Sequence, residues 1–303
     1  MQLFSHLIEG QIRIGRVLGG TAEDITEACG TNDMVLLIRG WESMRAQLPP
    51  GCGKPLEMSR IQFTAPLRPA TVLCAGSNYR DHNSEKAGSP TSGKEPEFFV
   101  KTADCLIGPV DDVPYDPQLT KKLDGETELA IVIGKAGRHI PVDKALSHVF
   151  GYSVSNDVTA RDLQVRKRDG FVWYELGRGK VFDGSLVLGP YITTADEIPD
   201  PQSLMLTTMV NGELRQKSST SEMIWNCAQL ISHFSVNLTL QPGMTILTGT
   251  PAGTAWSYDK ELGGKGHNIP GLVPAMRYLL PGDVLESAIG GMGATRNEVR
   301  AAT

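Results

Sequence analysis

Two apolar runs, Leu129-Ala-Ile-Val-Ile133 and Val149-Phe-Gly-Tyr-Ser-Val154, constrain this chain more than anything else in it. A strand covered on both faces reads as a near-continuous apolar stretch, because neither face meets water. The two runs therefore predict buried strands. Carboxylates stand at their ends: Glu126 and Glu128 lead into the first, and Asp157 follows the second. Residues i and i+2 of a strand share a face, so Glu126 and Glu128 lie side by side, roughly 7 Å apart from the strand rise. Like charges at that spacing repel unless one is protonated or a cation sits between them. A Glu-x-Glu pair is most often a solvated face, since carboxylates are mostly exposed. Near a core, however, ions need partners. With Asp157 arriving from a neighbouring strand, the set becomes an all-oxygen site of three carboxylates. Such a site favours hard cations, Mg2+ or Mn2+ ahead of Ca2+, over zinc.

At 303 residues the chain is long enough for one large domain, or one large and one small. A formal net charge of −5 argues against a nucleic-acid surface. The densest basic run, Arg161 to Arg168, is short and interrupted by Asp162. The five cysteines form no C-x-x-C and read as reduced, packed thiols of a cytoplasmic protein. The N-terminus lacks a charged segment followed by a long apolar one, and no apolar run reaches membrane-spanning length. The expectation is a soluble cytoplasmic protein with no membrane or nucleic-acid partner.

Residues 1–66 read as a small N-terminal α+β module, with a strand over Gln11–Leu18 and a helix over Met34–Leu48. Thr31, Asn32 and Asp33 can each cap that helix, because a side-chain oxygen accepts from a free backbone N–H. Residues 67–303 form the main body. Strands are predicted over Thr71–Gly76, Glu97–Lys101, Glu126–Gly134, Gly151–Asn156, Ser185–Leu188, Leu204–Val210, Thr245–Gly249 and Asp283–Ile289. Helices are predicted over Asn78–Lys86, Val142–Val149, Ala160–Lys167 and Ser221–Phe234. Asn211-Gly212 is a two-residue hairpin signal. The fold class is α+β, mainly β.

Three further segments carry chemistry. Asn78-Tyr-Arg-Asp-His82-Asn-Ser-Glu85 follows a buried strand, and on a short helix His82 and Glu85 are i and i+3, on one face. A glutamate holding one imidazole nitrogen leaves the other free as a general base for water. An incidental pair on a surface helix is the commoner outcome of that spacing. Lys180 sits among glycines that let backbone approach a ligand, and a lysine beside a metal stabilises an enolate. Thr248-Gly-Thr-Pro-Ala-Gly253 is a glycine-rich turn able to offer N–H groups to a carboxylate. There is no Walker A loop, Rossmann glycine fingerprint or G-x-S-x-G elbow.

Taken in order, Leu73–His82, Phe98–Lys101, Glu126–Gly134, Phe150–Gln164, Gly179–Pro190, Leu247–Gly253 and Pro281–Glu286 resemble the fumarylacetoacetate hydrolase family. The nearest branch is the acylpyruvase-like and 2-hydroxyhepta-2,4-diene-1,7-dioate isomerase-like one. The resemblance runs from Thr71 to Ile289 and specifies the family rather than the substrate. It implies a mixed β-sandwich/β-roll catalytic domain, usually in a homodimer. It implies a magnesium or manganese ion held by Glu126, Glu128 and Asp157 and chelated by a small 2-oxo acid substrate. By the same resemblance His82 and Glu85 form a water-activating dyad, and Lys180 stabilises developing negative charge. Arg161, Gln164 and Thr250 become substrate contacts.

The leading expectation is a metal-dependent hydrolase that cleaves a C–C bond of a 3-acylpyruvate, with a pyruvate enolate leaving. On the same scaffold, oxaloacetate decarboxylation and isomerisation or tautomerisation of a 2-oxo diacid are the alternatives. The full set of catalytic groups disfavours a non-catalytic small-molecule binder. A diacid would want a second cation, for which Lys101 or Arg168 is available. The stretch Trp256–Leu280, carrying Gly263–His267, is longer than the loop usual in this branch and reads equally as a loop beside the pocket or a disordered surface insertion; Trp173 and Tyr174 are candidates to line the pocket or to pack in the core.

Overall fold

A computed structural model describes residues 1–86, 93–266 and 268–302; His267 lies outside the described residues. The two apolar runs lie at its centre. Thr127–Ile133 is buried throughout and pairs antiparallel with Val149–Asp157. Side chains alternate along a strand, so this one serves two cores. Leu129, Ile131 and Ile133 share a core with Leu230, Ile231 and Phe234 of the helix Cys227–Asn237. Ala130 and Val132 join a second core with Leu3, Ile14 and Leu37. Each large apolar side chain buried in this way contributes about 1.5–3 kcal/mol.

The main path of a 13-stranded sheet runs through Lys54–Leu56, Thr21–Asp24, Gln11–Leu18, Gln2–Ile8 and Ile192–Thr194 to the central pair. It continues through Thr245–Leu247, Val72–Gly76 and Glu97–Lys101. Strands of the first 66 residues thus share a sheet with the body, joined where Gln2 and Leu3 pair with Thr193 and Ile192. A second, five-stranded sheet contains Met205–Val210 and Glu213–Ser219. They are linked by Asn211-Gly212, whose φ angles of 54° and 77° are those a tight hairpin turn requires. The architecture is α+β and mainly β, as the sequence predicts.

Some elements differ from expectation, each for a physical reason. Asp33 does cap a helix, accepting from Val35 N–H at 2.8 Å, but that helix is only Met34–Arg39 and restarts beyond Gly40 as Trp41–Met44. Val142–His148 is a 3-10 helix. The helix expected over Ser221–Phe234 begins at Cys227, where Asn226 and Gln229 form a reciprocal capping box. Ala160–Lys167 is helical only over Arg161–Gln164. Val165–Arg168 turns instead into a strand paired with Phe171–Tyr174, around Asp169-Gly170 at positive φ. No helix among the described residues is long and apolar enough to cross a membrane.

Candidate active site

Strand register gathers the three carboxylates. Thr127 stands opposite Asn156, and Asp157 N–H donates to Glu126 O at 2.8 Å, so Asp157 lies across from Glu126. It therefore shares the face that Glu126 and Glu128 occupy. One carboxylate oxygen from each comes within 4.8 Å of the others, and all three residues are buried.

Cations surround this cage unevenly. Lys180 Nζ bridges Glu126 Oε2 and Asp157 Oδ2. Arg161 donates to Glu126 Oε1, to Asp124 Oδ2 at 2.9 Å and to Gln164 Oε1 at 2.8 Å. Lys101 Nζ lies 2.8 Å from Asp157 Oδ1, at an angle that makes no hydrogen bond. Among the described residues Glu128 has no cation; it accepts one hydrogen bond, from Gly249 N–H at 2.6 Å.

The titration tendencies follow. Burial opposes ionisation of Glu126, but Arg161 and then Lys180 outweigh it and hold its carboxyl well below the usual range. Glu128 is pushed far upward by burial and by the charges of Asp157 and Glu126. Burial disfavours the Lys180 ammonium, yet Asp157 and Glu126 raise it above an ordinary lysine. Hard oxygen donors, repulsion at Glu128 that Lys180 and Gly249 N–H only partly offset, and an Asp157 oxygen without a hydrogen bond together suit a divalent cation.

The cage borders a cavity of about 50 Å³, on whose wall His82, Lys86, Gln164, Lys180, Thr250 and Trp256 also lie. A larger surface hollow of about 750 Å³, between Met34–Leu36 and Leu106–Gly108, touches none of these groups.

His82 rides on the helix Arg80–Ser84 and is 4 % exposed. Its Nδ1 is 2.7 Å from Glu85 Oε1. Glu85 also accepts from Gly253 N–H at 2.8 Å and Thr254 Oγ1 at 2.9 Å, so it is arranged as an acceptor. When Glu85 is ionised, Nδ1 carries the imidazole proton and Nε2 is bare. Burial first, and then the nearby Lys86 charge, lowers the imidazole well below its ordinary value and keeps it neutral. Burial pushes Glu85 up to about 8 against the pull of those two hydrogen bonds.

The structure brings the expected residues into one neighbourhood but not all onto the cavity wall. Gln164 and Thr250 line it, although the Thr250 hydroxyl donates inward to Thr127 O at 2.9 Å. Arg161, fully buried, lies behind Glu126. The N–H groups of the glycine-rich turn point at the chain's own carboxylates: Gly249 at Glu128, Gly253 at Glu85. Glycine is required at both, because φ is +90° and +108° and an added Cβ would strike Asn78 or Arg215. Trp256 and Tyr174 line the cavity, whereas Trp173 is on the exposed side of its hairpin.

Neither cation expected to serve a diacid is free to do so. Lys101 is spent beneath Asp157 and on Ser185, and the Arg168 side chain is 82 % exposed on the hairpin. Sequence reasoning missed two groups. Asp124 anchors Arg161 and accepts from Ala255 and Trp256 N–H; its only sequence signal is its nearness to Glu126. Lys86, adjacent to Glu85, lines the cavity.

Comparison with known proteins places the chain in a family. The family model "Fumarylacetoacetate (FAA) hydrolase C-terminal" matches residues 71–300. The human mitochondrial oxaloacetate tautomerase FAHD2A is 42% identical over 212 residues, 70% of this chain and 64% of that protein. The match thus spans less than two thirds of that relative. The oxaloacetate tautomerase YisK of Bacillus subtilis is 36% identical over 244 residues, 80% of this chain and 74% of the relative. The maleylpyruvate hydrolase of Sphingobium sp. SYK-6, solved with manganese(II) and pyruvate, superposes with a TM-score of 0.76. It is 28% identical, with 100% of both chains covered.

Proposed function

The chain belongs to the fumarylacetoacetate hydrolase family, and on that premise we propose that it is a tautomerase, interconverting the keto and enol forms of a small 2-oxo dicarboxylate such as oxaloacetate. The observation that carries this reading is the imidazole of His82. Burial holds it neutral, its Nε2 is uncommitted, and it stands on the wall of the cavity that the carboxylate cage borders.

Enolisation needs a base at C3 and positive charge beside the 2-oxo oxygen. His82 Nε2 takes the C3 proton, the electron pair of that C–H bond moves into the C2–C3 bond, and negative charge gathers on oxygen. Glu85 keeps hold of Nδ1–H and steadies the imidazolium. Lys180, kept protonated by Asp157 and Glu126, supplies positive charge near that oxygen. The imidazolium then gives that proton up to the enolate oxygen, completing the enol and restoring neutral His82, and the reverse sequence regenerates the ketone. A divalent cation, magnesium or manganese, held by Glu126, Glu128 and Asp157 would add Lewis-acid polarisation of the 2-oxo group.

The two curated relatives above bear the name of this activity, and none of these steps needs a seat for attacking water. Hydrolysis of an acylpyruvate, the leading expectation from sequence, becomes the second reading, favoured by the full-length likeness to maleylpyruvate hydrolase. In it the same dyad turns on water. Family membership also leads us to propose a homodimer, which sedimentation would check.

The deciding experiment adds manganese-loaded protein to enolic oxaloacetate, acetylpyruvate and fumarylpyruvate, following the enol absorbance and pyruvate together. The tautomerase reading expects rapid decay of the oxaloacetate enol without pyruvate, slowed about a hundredfold or more in His82→Gln. Pyruvate from the acylpyruvates without accelerated enol decay would move the assignment to hydrolysis.

A further inference from the structure

Four lysine and arginine side chains crowd this cavity and cage, and three are already committed. Arg161 holds Asp124 and Glu126, Lys180 holds Glu126 and Asp157, and Lys101 lies against Asp157. Lys86 is the exception. It is 6 % exposed, and among the described residues its Nζ makes one hydrogen bond, to Ser77 Oγ at 3.0 Å, and no ion pair.

The surroundings hold Lys86 in place. Its backbone bridges to Gly264, and the next residue of that loop, Lys265, donates its N–H to Glu85 O at 3.0 Å. Its ammonium lies 4.6 Å from the centre of the Trp256 ring, a cation–π contact. Ser77 keeps φ at 52°, where residues with side chains seldom sit, and such backbone persists where the surroundings enforce it, often at ligand sites. Burial brings the Lys86 ammonium down to about 8, with the charges of Glu126, Glu85 and Glu97 partly offsetting it. A buried ammonium with no carboxylate of its own is costly unless an anion arrives.

We propose that Lys86, supported by Ser77 and Trp256, is the subsite for the substrate's second carboxylate and selects 2-oxo dicarboxylates over 2-oxo monocarboxylates. The inference rests on the proposed function only for the other end of the molecule, the 2-oxo acid lodged at the cage. It replaces Lys101 and Arg168 in that role.

The test is direct binding. Calorimetry on manganese-loaded protein compares malate with 2-hydroxybutyrate, which carries a methyl group in place of the second carboxylate. Wild type is expected to bind malate at least about tenfold more tightly, since a hydrogen bond to a charged group is worth that much. Lys86→Met should bind the two alike, with 2-hydroxybutyrate affinity unchanged, and Lys86→Arg should recover part of the preference. Lys86→Met removes an unpaired buried charge, so its melting temperature should match or exceed wild type; Lys86→Gln gives a second readout. Equal binding of the two acids by wild type, or discrimination undiminished in Lys86→Met and Lys86→Gln, would overturn the subsite. Discrimination that depends on Lys86 in a protein with no tautomerase activity would uphold the subsite while defeating the proposed function.

Discussion

Two regions of this molecule bury charge, to different ends. Among the N-terminal strands, Arg16 is fully buried and donates to Glu23 Oε2 at 2.9 Å and to Leu48 O at 2.7 Å. Glu23 accepts further from Gly51 and Gly53 N–H. Burial opposes ionisation of Glu23, but Arg16 and those N–H groups outweigh it, and the carboxyl stays below its usual range. The ion pair is made within the chain, with Arg16 Nε alone of the guanidinium nitrogens lacking a partner among the described residues. At the cage, burial and like charges drive Glu128 upward instead, and on the same cavity wall Lys86 has no ion pair among the described residues. Both open on one cavity. Buried charge paired within the chain serves architecture; buried charge left without an ion pair beside a cavity marks where a ligand completes the structure.

Glu128→Gln should cost about a thousandfold or more in turnover, because it dismantles the cation site. Melting of the chelator-treated protein should hold, since burial and like charges already favour the neutral acid at Glu128 and the amide is its neutral isostere. A fall of many degrees would make Glu128 structural.

Arg16→Met should do the reverse. It strands Glu23 in the interior and destabilises the fold by about 3–5 kcal/mol, read by denaturant melts, while turnover per folded molecule is unchanged. Activity loss without stability loss would erase the distinction drawn here.

A smaller effect concerns His82. Its neutral form is the base, and burial and then Lys86 lower it, so the acid limb of kcat/KM lies below pH 6.5 in wild type. Lys86→Met removes a positive neighbour, raises the imidazole, and should shift that limb to higher pH. A limb that stays in place would detach His82 from Lys86.

The smallest lies just before the strand Val284–Ile289 of the second sheet. Hydrogen bonds from Arg277, above all, bring Asp283 down to about 2, against partial burial. A depressed carboxyl stabilises fully above its unfolded value, about 3.9, and that contribution is lost as pH falls toward 2. Asp283→Asn should flatten this acid-side loss in pH-dependent melts and leave activity untouched.

Much of the site was legible in local spacing. The i, i+2 rule placed Glu126 beside Glu128, and the i, i+3 rule placed His82 against Glu85. Uninterrupted apolar residues disclosed the central strand pair. What stayed hidden depended on contacts distant in sequence. The hairpin Val165–Tyr174 was masked by the basic run Arg166–Arg168, although Asp169-Gly170 carried a turn signal. The glycine-rich turn reads as able to offer N–H groups to a carboxylate, and only the fold shows that those carboxylates are the chain's own Glu128 and Glu85. Choosing Lys86 over Lys101 required knowing that the Trp256 loop folds back onto the end of the His82 helix.

The most direct measurement of the central claim is deuterium uptake at C3 of oxaloacetate in heavy water, followed by NMR with manganese-loaded wild type and His82→Gln. Uptake well above background in wild type, without pyruvate, and near background in His82→Gln is the predicted result. Background uptake with wild type, or uptake undiminished in His82→Gln, would contradict a His82-driven tautomerase.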